Sequence, residues 1–228
     1  LTLGQSRMLS ALIDFWPSNI HSVLDVGSGD GKVAAKLAAA VRAHFRALDG
    51  SAEALRLNPL PSILADATDL SAYDGDYDLV MATDILEHLD GEVEAKTLRN
   101  IFATARDCVA LAVPFREFRP EATAKCASCS QLYHVNWHQR SYTALELIGR
   151  VPDGWAVGGI VLTGEHWTTV PPPVTLWKRA SGRAFSQWAE AMCPHCGSGE
   201  QCESDADEQL LPSALAEAFY AGFRSNPA

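Results

Sequence analysis

Asp25-Val26-Gly27-Ser28-Gly29-Asp30-Gly31 sets three glycines at alternate positions beside two carboxylates. A loop of this composition between a strand and a helix presents backbone N–H groups and the positive end of the helix to a ligand. Glycine is needed there because a side chain would block close approach. The spacing narrows the ligand. A dinucleotide fingerprint requires glycine or alanine where Lys32 stands. A phosphate loop needs one more residue before Lys32, and Ser or Thr in place of Val33. Pyrophosphate would be repelled by Asp25 and Asp30, whereas an ammonium group would be attracted. Asp49, about twenty residues beyond the glycines and followed by Gly50, is placed to accept hydrogen bonds from ribose hydroxyls. The ligand expected is a nucleoside that carries an amino acid.

A second chemistry lies in the cysteines. Cys126-x-x-Cys129 and Cys193-Pro194-His195-Cys196-Gly197 each have the knuckle spacing that brings two thiolates to one tetrahedral zinc. A structural four-thiolate zinc site is therefore expected at Cys126, Cys129, Cys193 and Cys196, and the fold itself must close it because the pairs are distant in sequence. Two other arrangements stay open: disulfides, which a reducing compartment disfavours, and replacement of one thiolate by His134 or His138. Cys108 reads as a strand residue of the core and Cys202 as incidental to an acidic loop.

These groups need a frame. Met8, Leu9, Leu12, Ile13, Phe15 and Trp16 recur at helical spacing over residues 4–16, closed by Pro17. Strands are then expected at 22–26, 44–48, 62–65, 77–81 and 108–113, alternating with helices at 32–41, 52–57 and 92–106. That alternation implies a parallel sheet covered on both faces. Thr143 and Glu146 form a capping box for a helix ending at Gly149. Strands at 155–163 and 174–178, joined through 168–173, would complete a terminal hairpin. A helix at 184–192 would return the second cysteine pair to the first, and a final helix is expected at 213–223. The fold class is α/β, a doubly wound, seven-stranded, mostly parallel Rossmann-like sheet with a zinc-knuckle insertion. The expected divisions are a nucleoside-binding core at 1–120, a cysteine and histidine insertion at 121–140, the end of the sheet at 141–180, and the second knuckle, acidic loop and last helix at 181–228.

At this point the chain resembles the class I S-adenosylmethionine-dependent methyltransferases. Val23-Leu24-Asp25-Val26-Gly27-Ser28-Gly29-Asp30-Gly31 is similar to their first motif, and Ala47-Leu48-Asp49-Gly50-Ser51 to the ribose-binding second. Leu64-Ala65-Asp66-Ala67 is similar to the adenine-contacting third, and Tyr77-Asp78-Leu79-Val80-Met81-Ala82-Thr83-Asp84 to the fourth, which closes over the sulfonium. The resemblance implies S-adenosylmethionine as cofactor, held by Asp25, Gly27, Ser28, Gly29, Gly31, Asp49, Gly50, Asp66, Ala67 and Thr83. Asp84-Ile85-Leu86-Glu87-His88-Leu89 resembles the small-molecule branch typified by ubiquinone biosynthesis (types 11 and 12), which implies His88 as a catalytic base. Asp84, Glu87 and His88 are also spaced to share one side of a helical turn, where relatives hold a divalent ion; Mg2+ is the metal expected there. His138-Gln139-Arg140-Ser141-Tyr142-Thr143 is similar to a stretch bordering the acceptor pocket, which makes His138 a second candidate base. His134, with Tyr133 and Trp137 nearby, would pack beneath that pocket.

The formal net charge is −10, with acidic residues crowding Glu200, Glu203, Asp205, Asp207 and Glu208. That balance argues against a nucleic-acid substrate. No apolar run is long enough to span a membrane, so a cytoplasmic location is expected; Leu1 leaves open whether residues precede it. The expected reaction is methyl transfer to the hydroxyl of a small molecule or glycan. The alternatives are a non-catalytic, zinc-stabilised S-adenosylmethionine-binding module and a nicotinamide-dependent oxidoreductase.

Overall fold

Short apolar runs feed a five-stranded parallel sheet in the order β3-β2-β1-β4-β5: β1 Ser22–Val26, β2 His44–Asp49, β3 Ser62–Leu64, β4 Tyr77–Thr83 and β5 Ala105–Ala112. The computed structural model describes residues 1–164 and 188–203. The chain divides into two units, Leu1–Arg116 with Tyr142–His166, and Glu117–Ser141 with Trp167–Ala228.

The sheet belongs to the first unit. β1 and β4 are central and almost wholly buried, which is why they read as continuous apolar runs rather than alternating ones. Successive side chains serve opposite faces. Leu24, Val26, Leu48, Val80 and Ala82 pack with Ile101 on one side. Val23, Phe45, Leu79 and Met81 pack with Ile20, Ala34 and Leu37 on the other. Helices α1 Leu3–Asp14, α2 Lys32–Ala40, α3 Ala52–Leu57 and α4 Gly91–Thr104 connect or flank the strands. Asp90 caps α4 by accepting from Glu92 N and Val93 N. α4 stops before the expected residue 106 because Ala105 already pairs with Tyr77 in the sheet. The strand order reverses between β1 and β4, and the carboxyl ends of these strands leave a crevice at that switch point.

Residues 155–163 do not form the expected sixth sheet strand. The run is irregular; Gly158 and Gly159 interrupt it, and Val157, Ile160, Val161 and Leu162 are exposed, so no buried face pins a register. The expected elements at 168–173, 174–178 and 213–223 lie outside the described residues. α5, Ala144–Ile148, has the Thr143–Glu146 capping box read from the sequence.

In the second unit, β6 Thr123–Lys125 and β7 Leu132–His134 form an antiparallel pair. Ala124, Cys126, Tyr133, Val135, Ala191 and Cys193 make its small core. The described part of the expected helix at 184–192, Trp188 to Met192, is a turn instead. Gln201 claims the backbone there: Trp188 N donates to Gln201 Oε1 at 3.0 Å and Gln201 Nε2 donates to Trp188 O at 2.6 Å.

Candidate functional site

The glycine loop folds onto β2. Gly27 N and Ser28 N donate to Leu48 O at 2.8 and 3.1 Å, and Gly31 N donates to Ser28 O at 2.9 Å. Gly29 N donates to Asp49 Oδ2 at 2.8 Å, and Lys32 N to Asp30 Oδ1 at 3.2 Å. These amides are spent within the protein, so the expectation that the loop offers them to a ligand is corrected. An anion nest requires successive unspent N–H groups, and the amides on either side of Asp30 are taken. Gly27, at φ 72, is required twice over: its backbone is left-handed, and a Cβ would land on the Ile85 side chain. Asn58, just after α3, escaped the sequence reading. Its Nδ2 donates to Ser28 Oγ and Gly29 O at 3.2 and 3.1 Å and so ties the loop from outside. In sequence it stands only as a residue before proline.

Gly27, Leu48, Asp49, Gly50, Ala67, Asp84, Ile85 and His88 enclose a cleft of about 250 Å³. A further hollow of about 500 Å³ is lined by Gly50, Leu64, Ala65, Asp66 and Ala67. The second falls within the size range of small-molecule and cofactor sites, about 300–1,000 Å³, and the first lies just below it. Asp25 is 3% exposed, and its Oδ1 is buried with no hydrogen-bond partner. Burial, and then the charge of Asp49, pushes its carboxyl up to about 7. A buried carboxylate oxygen without a donor calls for one, and an ammonium group would supply both a donor and a charge. Asp49 Oδ1 accepts from Ser51 N at 2.8 Å, and a carboxylate oxygen retains a second lone pair for a hydroxyl. These features fit an S-adenosylmethionine molecule. Asp66 Oδ1 accepts from Thr68 N at 2.8 Å; that bond holds the carboxyl below its ordinary range and makes the residue a turn cap as well as part of the hollow's wall. Thr83 ends β4 and is half-buried.

His88 closes a short 3-10 turn, Leu86–His88, and faces the first cleft. The turn is braced from behind. Tyr142 Oη lies 3.1 Å from Leu86 O and 2.9 Å from Glu94 Oε1, Arg150 pairs with Glu94, and the Arg150 guanidinium sits 5.2 Å from the centre of the Tyr142 ring. Asp84 precedes the turn at φ 55, and its amide is tied to Ala112 O at 3.0 Å. The ligand atoms of Asp84, Glu87 and His88 therefore do not gather within 4.8 Å of one another. The expected Mg2+ triad is corrected: it needs Asp84 inside the helical turn, and the left-handed backbone puts it outside.

In the second unit the four cysteines converge, their sulfurs all within 4.8 Å of one another. Cys126 and Cys196 are 3.5 Å apart, Cys129 and Cys193 3.6 Å. A tetrahedron with Zn–S bonds of about 2.3 Å has edges of about 3.8 Å, whereas a disulfide would need about 2.05 Å. Each knuckle turns on a left-handed residue directly after its second cysteine, Ser130 at φ 61 and Gly197 at φ 73. The backbone N–H groups of Cys129 and Ser128 help pull the Cys126 thiol down to about 7, against burial. The halves meet through antiparallel pairing of Cys126 with Gln201, not through the expected helix. Cys202 also borders the cluster, its N donating to Lys125 O at 2.8 Å. His134 and His138 group with Glu117 instead, so the four-thiol set is complete without them. His138 Nδ1 is 2.7 Å from Glu117 Oε2, a partner the sequence did not single out.

A doubly wound sheet with an acid-lined cleft at its switch point defines a nucleoside-cofactor domain of the α/β class. Residues 23–108 match the methyltransferase domain family, the stretch that holds the glycine loop, Asp49, Asp66 and Thr83. Among solved structures it is similar to a SAM-dependent methyltransferase from Archaeoglobus fulgidus (17% identity, TM-score 0.49, covering 64% of this chain and 66% of that one). It is also similar to the 1,6-didemethyltoxoflavin-N1-methyltransferase of Burkholderia thailandensis (18%, 0.48, 65% and 66%), and to a protein of Pyrococcus horikoshii OT3 (19%, 0.44, 49% and 54%). The chain thus spans between about half and two thirds of these structures. No curated protein matches it significantly in sequence.

Proposed function

We propose that this protein transfers a methyl group from S-adenosylmethionine to the hydroxyl oxygen of a small-molecule or glycan acceptor. The observation that carries the cofactor half is the buried, partnerless Oδ1 of Asp25 at the end of β1. S-adenosylmethionine, when bound, supplies an electrophilic methyl group on a sulfonium. In this reading Asp25 meets the ammonium, and Gly27, Ser28, Gly29 and Gly31 shape the loop over the methionine end. Asp49 and Gly50 receive the ribose, Asp66 and Ala67 border the adenine, and Thr83 closes the wall. His88 and His138 are the residues assigned to take the acceptor's proton, since imidazole accepts protons near neutral pH. Cys126, Cys129, Cys193 and Cys196 hold a structural zinc, a set suited to a reducing, cytoplasmic setting. The net charge of −10 disfavours a nucleic-acid acceptor.

The spent loop amides weigh against the nicotinamide alternative, and calorimetry with S-adenosylmethionine and with NAD separates the two. Labelled S-adenosylmethionine offered with hydroxylated small molecules, glycans, amines and RNA tests the acceptor. Label on a hydroxyl is expected. Label on nitrogen or RNA refutes the acceptor assignment, and tight binding with no transfer to any of these favours the non-catalytic module.

A further inference from the structure

Of the residues that line the first cleft, only Leu48 and Ile85 carry bulky apolar side chains. Leu48 is fully buried in the sheet, whereas Ile85 is half-buried and stands at the N-cap of the turn that bears His88. Its side chain takes the space where Gly27 has no Cβ. A Cβ there would lie 2.9 Å from Ile85 Cβ and 3.0 Å from Cγ1, with Cδ1 closer still. One branched side chain against bare backbone therefore bounds the cleft at this point. Ile85 has little freedom to withdraw. It packs against the sheet cluster around Val26 and Val80 and against the cluster of Leu86 and Phe102. The backbone is held on both sides, since Asp84 N donates to Ala112 O at 3.0 Å and His88 N donates to Ile85 O at 3.1 Å. A β-branched residue on a fixed backbone has few rotamers, and a close-packed core does not yield to an added methylene without cost. In a cleft of only about 250 Å³ such a wall decides what fits.

We propose that Ile85 sets the size of the group accepted on the cofactor's sulfur, admitting a methyl and excluding a longer alkyl chain; this rests on the reading of the cleft as an S-adenosylmethionine site. In that molecule the sulfur joins the methionine chain to the ribose, and the group it gives up must face the acceptor. The residues assigned to those roles, Gly27 for the methionine end, Asp49 with Gly50 for the ribose and His88 for the acceptor, line one cleft. Ile85 stands on that cleft between Gly27 and His88. It is a specificity-determining residue that acts by volume alone, since its side chain offers neither charge nor hydrogen bond.

Calorimetry of the full chain with S-adenosylmethionine, with its S-ethyl homologue and with S-adenosylhomocysteine, which has no group to transfer, tests this without turnover. In the wild type the ethyl homologue should bind about 10- to 100-fold more weakly than S-adenosylmethionine, the range that one methylene commands in an apolar pocket. Ile85→Val, which removes Cδ1, should narrow the gap, and Ile85→Ala should close it to within about threefold. Should Ile85→Ala fail to fold, Ile85→Val carries the test. A purely structural Ile85 would weaken all three ligands alike and leave the ethyl-to-methyl ratio unmoved; that result overturns the proposal, as does a wild type that binds both cofactors equally. The packing has its own readout in a double-mutant cycle. Gly27→Ala should lower Tm by less in the Ile85→Ala background, where Cγ1 and Cδ1 are gone, and an equal loss in both backgrounds also overturns the proposal. A wild type that binds none of the three ligands refutes the cofactor reading itself, whereas binding of S-adenosylmethionine and S-adenosylhomocysteine with an unmoved ratio refutes only the role of Ile85.

Discussion

Cofactor affinity should depend on pH through Asp25. Its carboxyl is raised from 3.8 to about 7 by burial and by Asp49, a displacement worth about 4 kcal/mol against the ionised form. Because the folded value lies above the unfolded one, this group's contribution to stability is fullest below pH 4 and declines as pH rises towards 7, where the buried carboxylate is ionised. Ligand binding runs the other way. A cationic ammonium beside Oδ1 favours the carboxylate, so binding below pH 7 must expel a proton, and Kd should fall about tenfold per pH unit from 5.5 to 7 before levelling. Calorimetry over pH 5.5–7.5 in buffers of differing ionisation enthalpy measures both the slope and the released proton; an α-amino group of pKa about 7.7–8.0 stays mostly cationic over that range. Asp25→Asn should bind about 10- to 100-fold more weakly at pH 7.5, the worth of one charged hydrogen bond, and its affinity should be flat with pH. It should also raise Tm more at pH 8 than at pH 5. A wild-type Kd that is level across the range, or an undiminished slope in Asp25→Asn, would refute the reasoning.

Gly27→Ala forces a Cβ onto Ile85 in a left-handed backbone; we expect a loss of about 1–3 kcal/mol in stability, read as Tm, together with weakened cofactor binding. Tyr142→Phe removes the hydroxyl that joins Leu86 O to Glu94. It should cost about 1–3 kcal/mol in denaturant unfolding and lower kcat with little change in KM for the cofactor, since the turn bearing His88 loses its brace. Metal analysis should find one zinc per chain, lost in Cys193→Ser, with Tm lowered by roughly 2–4 °C for each kcal/mol that the site contributes.

The strands and helices that carry the cofactor motifs were legible because the cues are local. Ser22–Val26 and Ala52–Leu57 were delimited to the residue, and Thr143 with Glu146 announced its capping box. The cysteine quartet was legible too, since knuckle spacing is a local signature. What failed depended on partners distant in sequence. An apolar run at 155–163 becomes a strand only where an edge receives it. The turn after Trp188 is set by Gln201, and Asp84 leaves the presumed metal set because its amide is drawn to Ala112 on β5. Asn58, Tyr142 and Glu117 carry no periodicity or motif to mark what they touch; each acts through a contact more than twenty residues away. The sequence by itself therefore determined the cofactor class, by placing glycines and carboxylates where an ammonium and a ribose are wanted. Only the tertiary structure decided that the loop amides of Gly27, Ser28 and Gly29 are spent on β2, that Asp25 Oδ1 is buried without a donor, and that Glu117 is brought to His138, because burial and hydrogen-bond satisfaction depend on the whole fold.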